Sequence, residues 1–137
     1  MKTFAIILFT LLYQLGYGQA QLDFVSNIDY QVLHDANLND IWGYEDEDGN
    51  EYAIVGTTKG TSIVDVTDPV NPQEIYWLAG MESVWRDPKV HGDYAYVTTE
   101  AEEGMTIIDL SPLPGSVTLT STIFMGQGGT TWESAHN

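Results

Sequence analysis

The densest run of groups able to do chemistry is Glu45-Asp46-Glu47-Asp48-Gly49-Asn50-Glu51. Hard cations take carboxylate and carbonyl oxygens from short acidic loops, so the run invites calcium, with Asp46, Asp48 and Glu51 as candidate ligands. The register opposes that chemistry. A calcium loop ending in Asp-Gly also carries acids two and four residues before the Asp, and here Asp46 fits but Tyr44 does not. The competing reading is a hairpin in which Asp48-Gly49 makes the tight turn and the acids stand in water. That hairpin, with no metal and no other cofactor, is the expectation. Glu100, Glu102 and Glu103 form a second acidic loop with the same two readings.

Three other constellations could recognise a ligand. Trp42, Trp85 and Trp132 recur at spacings of 43 and 47 residues. As exposed rings they would stack on a sugar or a peptide; as buried rings they would fill the space between repeated units, which is the simpler role. Arg86, beside Trp85, could clamp a carboxylate, or pair with Asp87 or an acid of a neighbouring unit. Asp65 and Asp109 would form part of an acidic ring or, more simply, bond backbone N–H groups in the Asp-Pro and Ser-Pro turns that follow them.

Catalytic patterns are few. The histidines are His34, His91 and His136, and the chain has no His-Glu-x-x-His, no Gly-x-Ser-x-Gly and no phosphate loop ending in Gly-Lys-Ser or Gly-Lys-Thr. Gly126-Gln127-Gly128-Gly129 lacks the amphipathic helix whose N-terminal amides a phosphate loop needs, and reads as a connection. Ser134 and His136 would share one side of a strand, without an orienting acid that the sequence can locate.

The elements that must position these residues are a repeat. Tyr52-Ala53-Ile54-Val55 returns as Tyr94-Ala95-Tyr96-Val97, and Gly60-Thr61-Ser62-Ile63-Val64-Asp65 returns as Gly104-Met105-Thr106-Ile107-Ile108-Asp109. Each unit reads as four short strands: 40–44, 51–55, 62–66 and 74–78, then 84–90, 94–98, 106–110 and 118–124. The residues are β-branched or aromatic, and turn formers fill the gaps. No stretch shows helical spacing over 11 residues. Four strands per roughly 43 residues with a recurring Trp predicts an all-β, β-propeller-like fold of four-stranded antiparallel blades. The expected divisions are a lead-in segment 21–39, a first blade 40–82, a second blade 83–129 and the start of a third unit at 130–137.

Residues 1–20 have a different character. One lysine, an apolar run from Phe4 to Leu12 and small residues up to Ala20 predict a secretory signal peptide cleaved between Ala20 and Gln21. No membrane-spanning segment is expected in the mature chain. Twenty Asp and Glu against four Lys and Arg, a formal charge of −16, argue against nucleic acid as partner. The absence of Cys excludes disulfides and thiol chemistry. About 2.7 units fit in the mature chain, whereas a closed propeller needs about four to eight blades. The expectation is therefore an incomplete ring on an incomplete chain, with assembly from several copies as the alternative.

With these residues in view, the chain resembles the choice-of-anchor B family, secreted bacterial proteins built from LVIVD repeats. The resemblance rests on Asn39-Asp40-Ile41-Trp42-Gly43-Tyr44, on Gly49 to Gly56, on Gly60 to Pro69, on Ser83-Val84-Trp85-Arg86-Asp87, on Tyr94 to Val97 and on Ala135-His136-Asn137. Pro88 and His91 depart from the pattern, and Pro88 predicts a shortened or bulged strand because it lacks a ladder donor. The resemblance implies extracellular or cell-surface placement through a C-terminal anchoring signal, which this sequence does not show, and it supplies no catalytic mechanism. The functional expectation is a secreted or surface-bound module that recognises protein or glycan and performs no chemistry of its own. The alternatives are a hydrolase or lyase whose site lies mostly in further blades, and a structural surface-layer repeat.

Overall fold

Runs such as Tyr52 to Val55 and Ile63-Val64 are apolar at consecutive positions, so a strand built from them must be covered on both faces. The computed structural model describes residues 22–101 and 104–136, and it meets this demand with two sheets packed face to face. The expected leader, its cleavage point at Ala20 and Gln21, and Glu102 and Glu103 lie outside the described residues. The first sheet contains β1 (Leu38–Glu45), β2 (Glu51–Thr57), β3 (Gly60–Asp65) and β4 (Gln73–Ala79). The second contains β5 (Arg86–His91), β6 (Tyr94–Thr99), β7 (Met105–Asp109) and β8 (Thr120–Phe124). Both are antiparallel meanders in chain order. The expected all-β, blade-like architecture is what the chain adopts, and the two blades do not close a ring.

The interface between the blades is the main core. Tyr52, Ile54 and Ile63 of the first sheet meet Ala95, Val97, Ile108 and Leu110 of the second. Ile54, Ile63, Ile108 and Leu110 have no solvent exposure. On the opposite face of the first sheet, Val55, Val64 and Trp77 of β4 pack with Tyr30 and Ile28. Tyr30 belongs to a helix, α1 (Tyr30–His34), that the periodicity did not predict. Five residues are too few to display a helical repeat. The available signal was Asp29, whose carboxylate accepts from the Gln31 and Val32 amides as an N-cap.

Repeated residues have repeated jobs. Thr57 ends β2, and its hydroxyl accepts from the amides of Lys59 and Gly60; Thr99 ends β6 and accepts from Ala101 in the same way. Gly60, which opens β3, and Gly104, immediately before β7, have no room for a side chain. A Cβ there would lie 2.5 Å from the Leu78 and Phe124 carbonyl oxygens respectively. Asp65 and Asp109 take the local role: their carboxylates accept from the Thr67 and Ser111 amides at 2.9 and 3.0 Å.

Two local expectations are corrected. Pro88 does not bulge its strand, since β5 pairs with β6 in unbroken register from Arg86 to His91, although β5 has six residues against eight in β1. β5 is an edge strand of its sheet, where a residue without an N–H is tolerated, and the Pro88 carbonyl accepts from Lys89 Nζ. Residues 130–136, expected to start a strand, are not in one. They lie against the second blade through Gly104 N to Glu133 O, 2.7 Å, and Ala135 N to Thr99 O, 3.0 Å.

Candidate functional site

β1 and β5 are the first strands of their sheets and lie side by side, so their free edges bring residues of both blades together. Trp42 stands on β1 and Trp85 immediately before β5. The structure does not bury them between the blades: they remain 42% and 46% exposed. Each ring is instead faced by a basic side chain from further along the chain. Lys89 Nζ lies 4.6 Å from the Trp42 ring centroid, and the His136 ring stacks on Trp85 at 4.9 Å and 19°. Lys89 follows Trp85 by four residues, and His136 follows Trp132 by four. The basic group is held in turn by an acid, Asp40 for Lys89 at 3.0 Å and Glu100 for His136 at 3.1 Å. An indole face attracts a cation, and the carboxylate keeps the cation in place. Trp132 is half-buried against Phe124.

Arg86, the next residue after Trp85, is turned inward and 3% exposed. Its Nε donates to the Thr57 carbonyl at 3.0 Å and its Nη2 to the Met81 carbonyl at 2.5 Å. The guanidinium therefore clasps the end of β2 and the connection between blades. Its backbone comes equally close, because a Cβ on Gly56 would run into the Arg86 carbonyl oxygen. Asp87 is buried at 6% exposure.

Between the start of β1 and the approach to β5 is a cleft of about 430 Å³ lined by Leu38, Asn39, Asp40, Val84, Trp85 and Asp87. Ser83 shapes its wall. The Ser83 hydroxyl accepts from the Trp85 amide and donates to the Trp85 carbonyl, and the Ser83 carbonyl accepts from Asn39 Nδ2.

The acidic hairpin between β1 and β2 is organised by Asp46. Its Oδ1 accepts from the Asp48 and Asn50 amides at 2.9 Å, and its Oδ2 from Asn50 Nδ2 and Tyr52 Oη at 2.9 and 3.1 Å. Burial pushes the Asp46 carboxyl up, but the bonds from Asn50, Tyr52 and Asp48 outweigh it and hold the group below the usual carboxylate range. Asp48 and Glu51 have solvent-exposed side chains. Among the described residues, no three His, Asp or Glu side chains are disposed to hold one metal ion. Across the cleft between blades, Tyr44 Oη donates to Asp93 Oδ1 at 3.1 Å. Burial, the Asp93 bond and the charges of Asp93, Asp46 and Glu47 raise the Tyr44 phenol to about 12.

The comparisons with known proteins fall on this frame. The family model of the LVIVD repeat matches residues 48–77 and 86–122. Each matched stretch is similar to the LVIVD repeat and falls within one blade. The first match runs from the Asp46 hairpin to Trp77 in β4, and the second opens on Arg86 at the start of β5. No curated protein and no solved structure matches the chain.

The first blade carries a buried polar network that the residue pattern did not announce. Tyr30 Oη donates to Ser62 Oγ at 2.9 Å, Ser62 Oγ donates to Glu74 Oε2 at 2.6 Å, and His34 Nε2 meets Glu74 at 2.8 and 2.9 Å. The His34 ring lies flat on Trp77, 3.6 Å away at 7°. The carboxylate stands between Ser62 and His34, so His34 has no path to the serine proton. The arrangement ties α1 to β3 and β4 and is not a nucleophile–base pair. His91 is exposed at the end of β5. Ser134 is exposed as well, while the His136 ring is engaged by Trp85 and Glu100.

Proposed function

We propose that this chain is part of a secreted or cell-surface binding module that recognises protein or glycan along the edge formed by β1 and β5, without chemistry of its own. The observation that carries the reading is the pair of solvent-exposed tryptophans, Trp42 and Trp85, held in fixed positions by Lys89 and His136. Large aromatic rings kept exposed and orderly at a junction between rigid sheets are what a recognition surface uses. The LVIVD-like repeats supply the scaffold, since blades packed on blades hold such rings at constant separation. The N-terminal pattern ending at Ala20 and the resemblance to the choice-of-anchor B family support an extracellular setting, and they support cleavage ahead of Gln21.

The test is saturable binding of the fluorescently labelled protein to cell-surface and matrix preparations from its source. Binding that falls when both Trp42 and Trp85 are changed to Ala, with an unchanged circular dichroism spectrum, supports the reading. Turnover of a polysaccharide or peptide substrate, lost on substitution of a single carboxylate, would overturn it.

A further inference from the structure

The cleft beside Trp85 has a chemistry more specific than that of a general interaction surface. Resting on the binding-module reading, we propose that it takes an uncharged glycan, with one sugar ring stacked on Trp85 and its hydroxyls bonded by Asn39 and Asp40. A sugar presents an apolar C–H face and a rim of hydroxyl donors. The cleft offers the matching halves. Val84 and Leu38, 68% and 63% exposed, extend the apolar ground around Trp85. Asn39 Nδ2 is committed to the Ser83 carbonyl, which leaves the side-chain oxygen as an acceptor. The Asp40 carboxylate stands beside it, fixed by Lys89.

The platform is rigid before any ligand arrives. His136 covers one face of the Trp85 ring, and the two bonds between Ser83 Oγ and the Trp85 backbone hold the main chain. A ring immobilised in advance loses little entropy on binding.

Charge selects among ligand classes. An acidic polysaccharide would approach a chain of net charge −16 and find no free cation among the described residues of the cleft, since Lys89 is engaged by Asp40 and Arg86 by backbone carbonyls. A cationic peptide would find Asp40 already neutralised by Lys89 and Asp87 buried. A protein surface needs about 800 Å² on each partner, more than a six-residue cleft provides. About 430 Å³ is instead the scale of a small-ligand pocket.

The experiment is calorimetry and tryptophan fluorescence on the full chain with neutral hexasaccharides of β-1,3-glucan, β-1,4-glucan, β-1,4-mannan and α-1,4-glucan, alongside polygalacturonate and pentalysine. At least one neutral hexasaccharide should bind and shift the fluorescence. Trp85→Ala should weaken that binding by about tenfold or more, and Trp85→Phe by less, because a ring remains to stack on. Asn39→Ala serves as a second variant should Trp85→Ala fail to fold. The proposal is overturned if no neutral sugar binds at millimolar concentration, if only a charged probe binds, or if both variants bind as the parent does. Loss of neutral-sugar binding alone, with saturable cell-surface binding intact, defeats the glycan assignment and leaves the binding-module reading standing; loss of both defeats both.

Discussion

Lys89 places its ammonium 4.6 Å from the centre of the Trp42 ring, reaching from the second blade to the first. The same offset recurs one repeat later, where His136 stacks on Trp85. A residue four places after one tryptophan therefore covers the tryptophan of the preceding unit. The contact ties the second blade to the first beside β1 and β5.

That contact is measurable by a double-mutant cycle. Lys89→Met and Trp42→Leu, singly and together, should show a coupling of about 0.5–1 kcal/mol in denaturant unfolding, the scale of an exposed cation–π pair. The Asp40 ion pair adds little, because both side chains are more than a third exposed and water screens them. High salt should shrink the coupling. Additive single-mutant effects would refute the contact.

Gly56 should tolerate no side chain. A Cβ there would overlap the Arg86 carbonyl oxygen, so Gly56→Ala must push the two blades apart. The expected cost is about 1–3 kcal/mol, as for overpacking elsewhere. Gly43→Ala, on the adjacent strand with nothing within 4 Å of the added carbon, should stay within about 0.5 kcal/mol. Urea melts of the two variants compare them directly. Equal stabilities would mean that the blade junction is looser than the structure shows.

Asp46 should contribute to the acid side of the stability profile. Its carboxyl is held below the ordinary value, so the stabilisation is complete above about pH 4, the unfolded value, and is lost as pH falls through the lower folded value. Asp35 and Asp40 are lowered as well, by Lys59 and by Ile41 and Lys89 respectively, so Asp46→Asn should flatten the acid limb without abolishing it. Because Asp46 is already saturated with hydrogen-bond donors, millimolar calcium should give neither binding heat nor a rise in melting temperature. A calcium-dependent rise that Asp46→Asn removes would restore the metal reading of Asp46, Asp48 and Glu51.

Tyr44 sets the alkaline side. Its folded value of about 12 lies above the ordinary phenol value near 10, so the contribution is present below pH 10 and is lost as pH rises through 12. Ultraviolet titration should show a late-ionising tyrosine that moves earlier in Asp93→Asn. Tyr52 and Tyr30 are also raised, which makes the comparison with that variant the decisive one.

Much of the fold was legible because the chain states it twice. The pairs Tyr52 and Tyr94, Gly60 and Gly104, and Asp65 and Asp109 mark the same points of successive blades, and all eight strands overlap their expected ranges. The site was less legible, since it depends on which neighbour reaches which residue. The spacing of Trp42 and Trp85 was plain, but nothing local says that the rings stay exposed or that Lys89 and His136 face them. Arg86 reads as a possible ligand clamp until the fold brings the Thr57 and Met81 carbonyls to it from the preceding blade. The helix α1 escaped because it is a single capped turn, held by distant partners more than by its own periodicity.

The tie between α1 and the first blade yields the last prediction. Ser62 is fully buried and Glu74 accepts from its hydroxyl, so Glu74→Ala leaves the Ser62 proton without its acceptor and His34 Nε2 without its carboxylate, while Tyr30 still donates to Ser62 Oγ. An unsatisfied buried polar group costs about 1–3 kcal/mol. The loss should be local, because the network touches α1, β3 and β4 and none of β5 to β8. Hydrogen exchange should therefore accelerate at the amides of Leu33, Asp35 and Ala36, which close α1, while the amides of β6 and β7 keep their protection. Trp77 fluorescence should change in the same variant as His34 leaves its ring. Glu74→Gln, which keeps an acceptor for Ser62, should recover most of the protection. Uniform acceleration across both blades would show instead that Glu74 supports the whole structure and that α1 is not a separable strap.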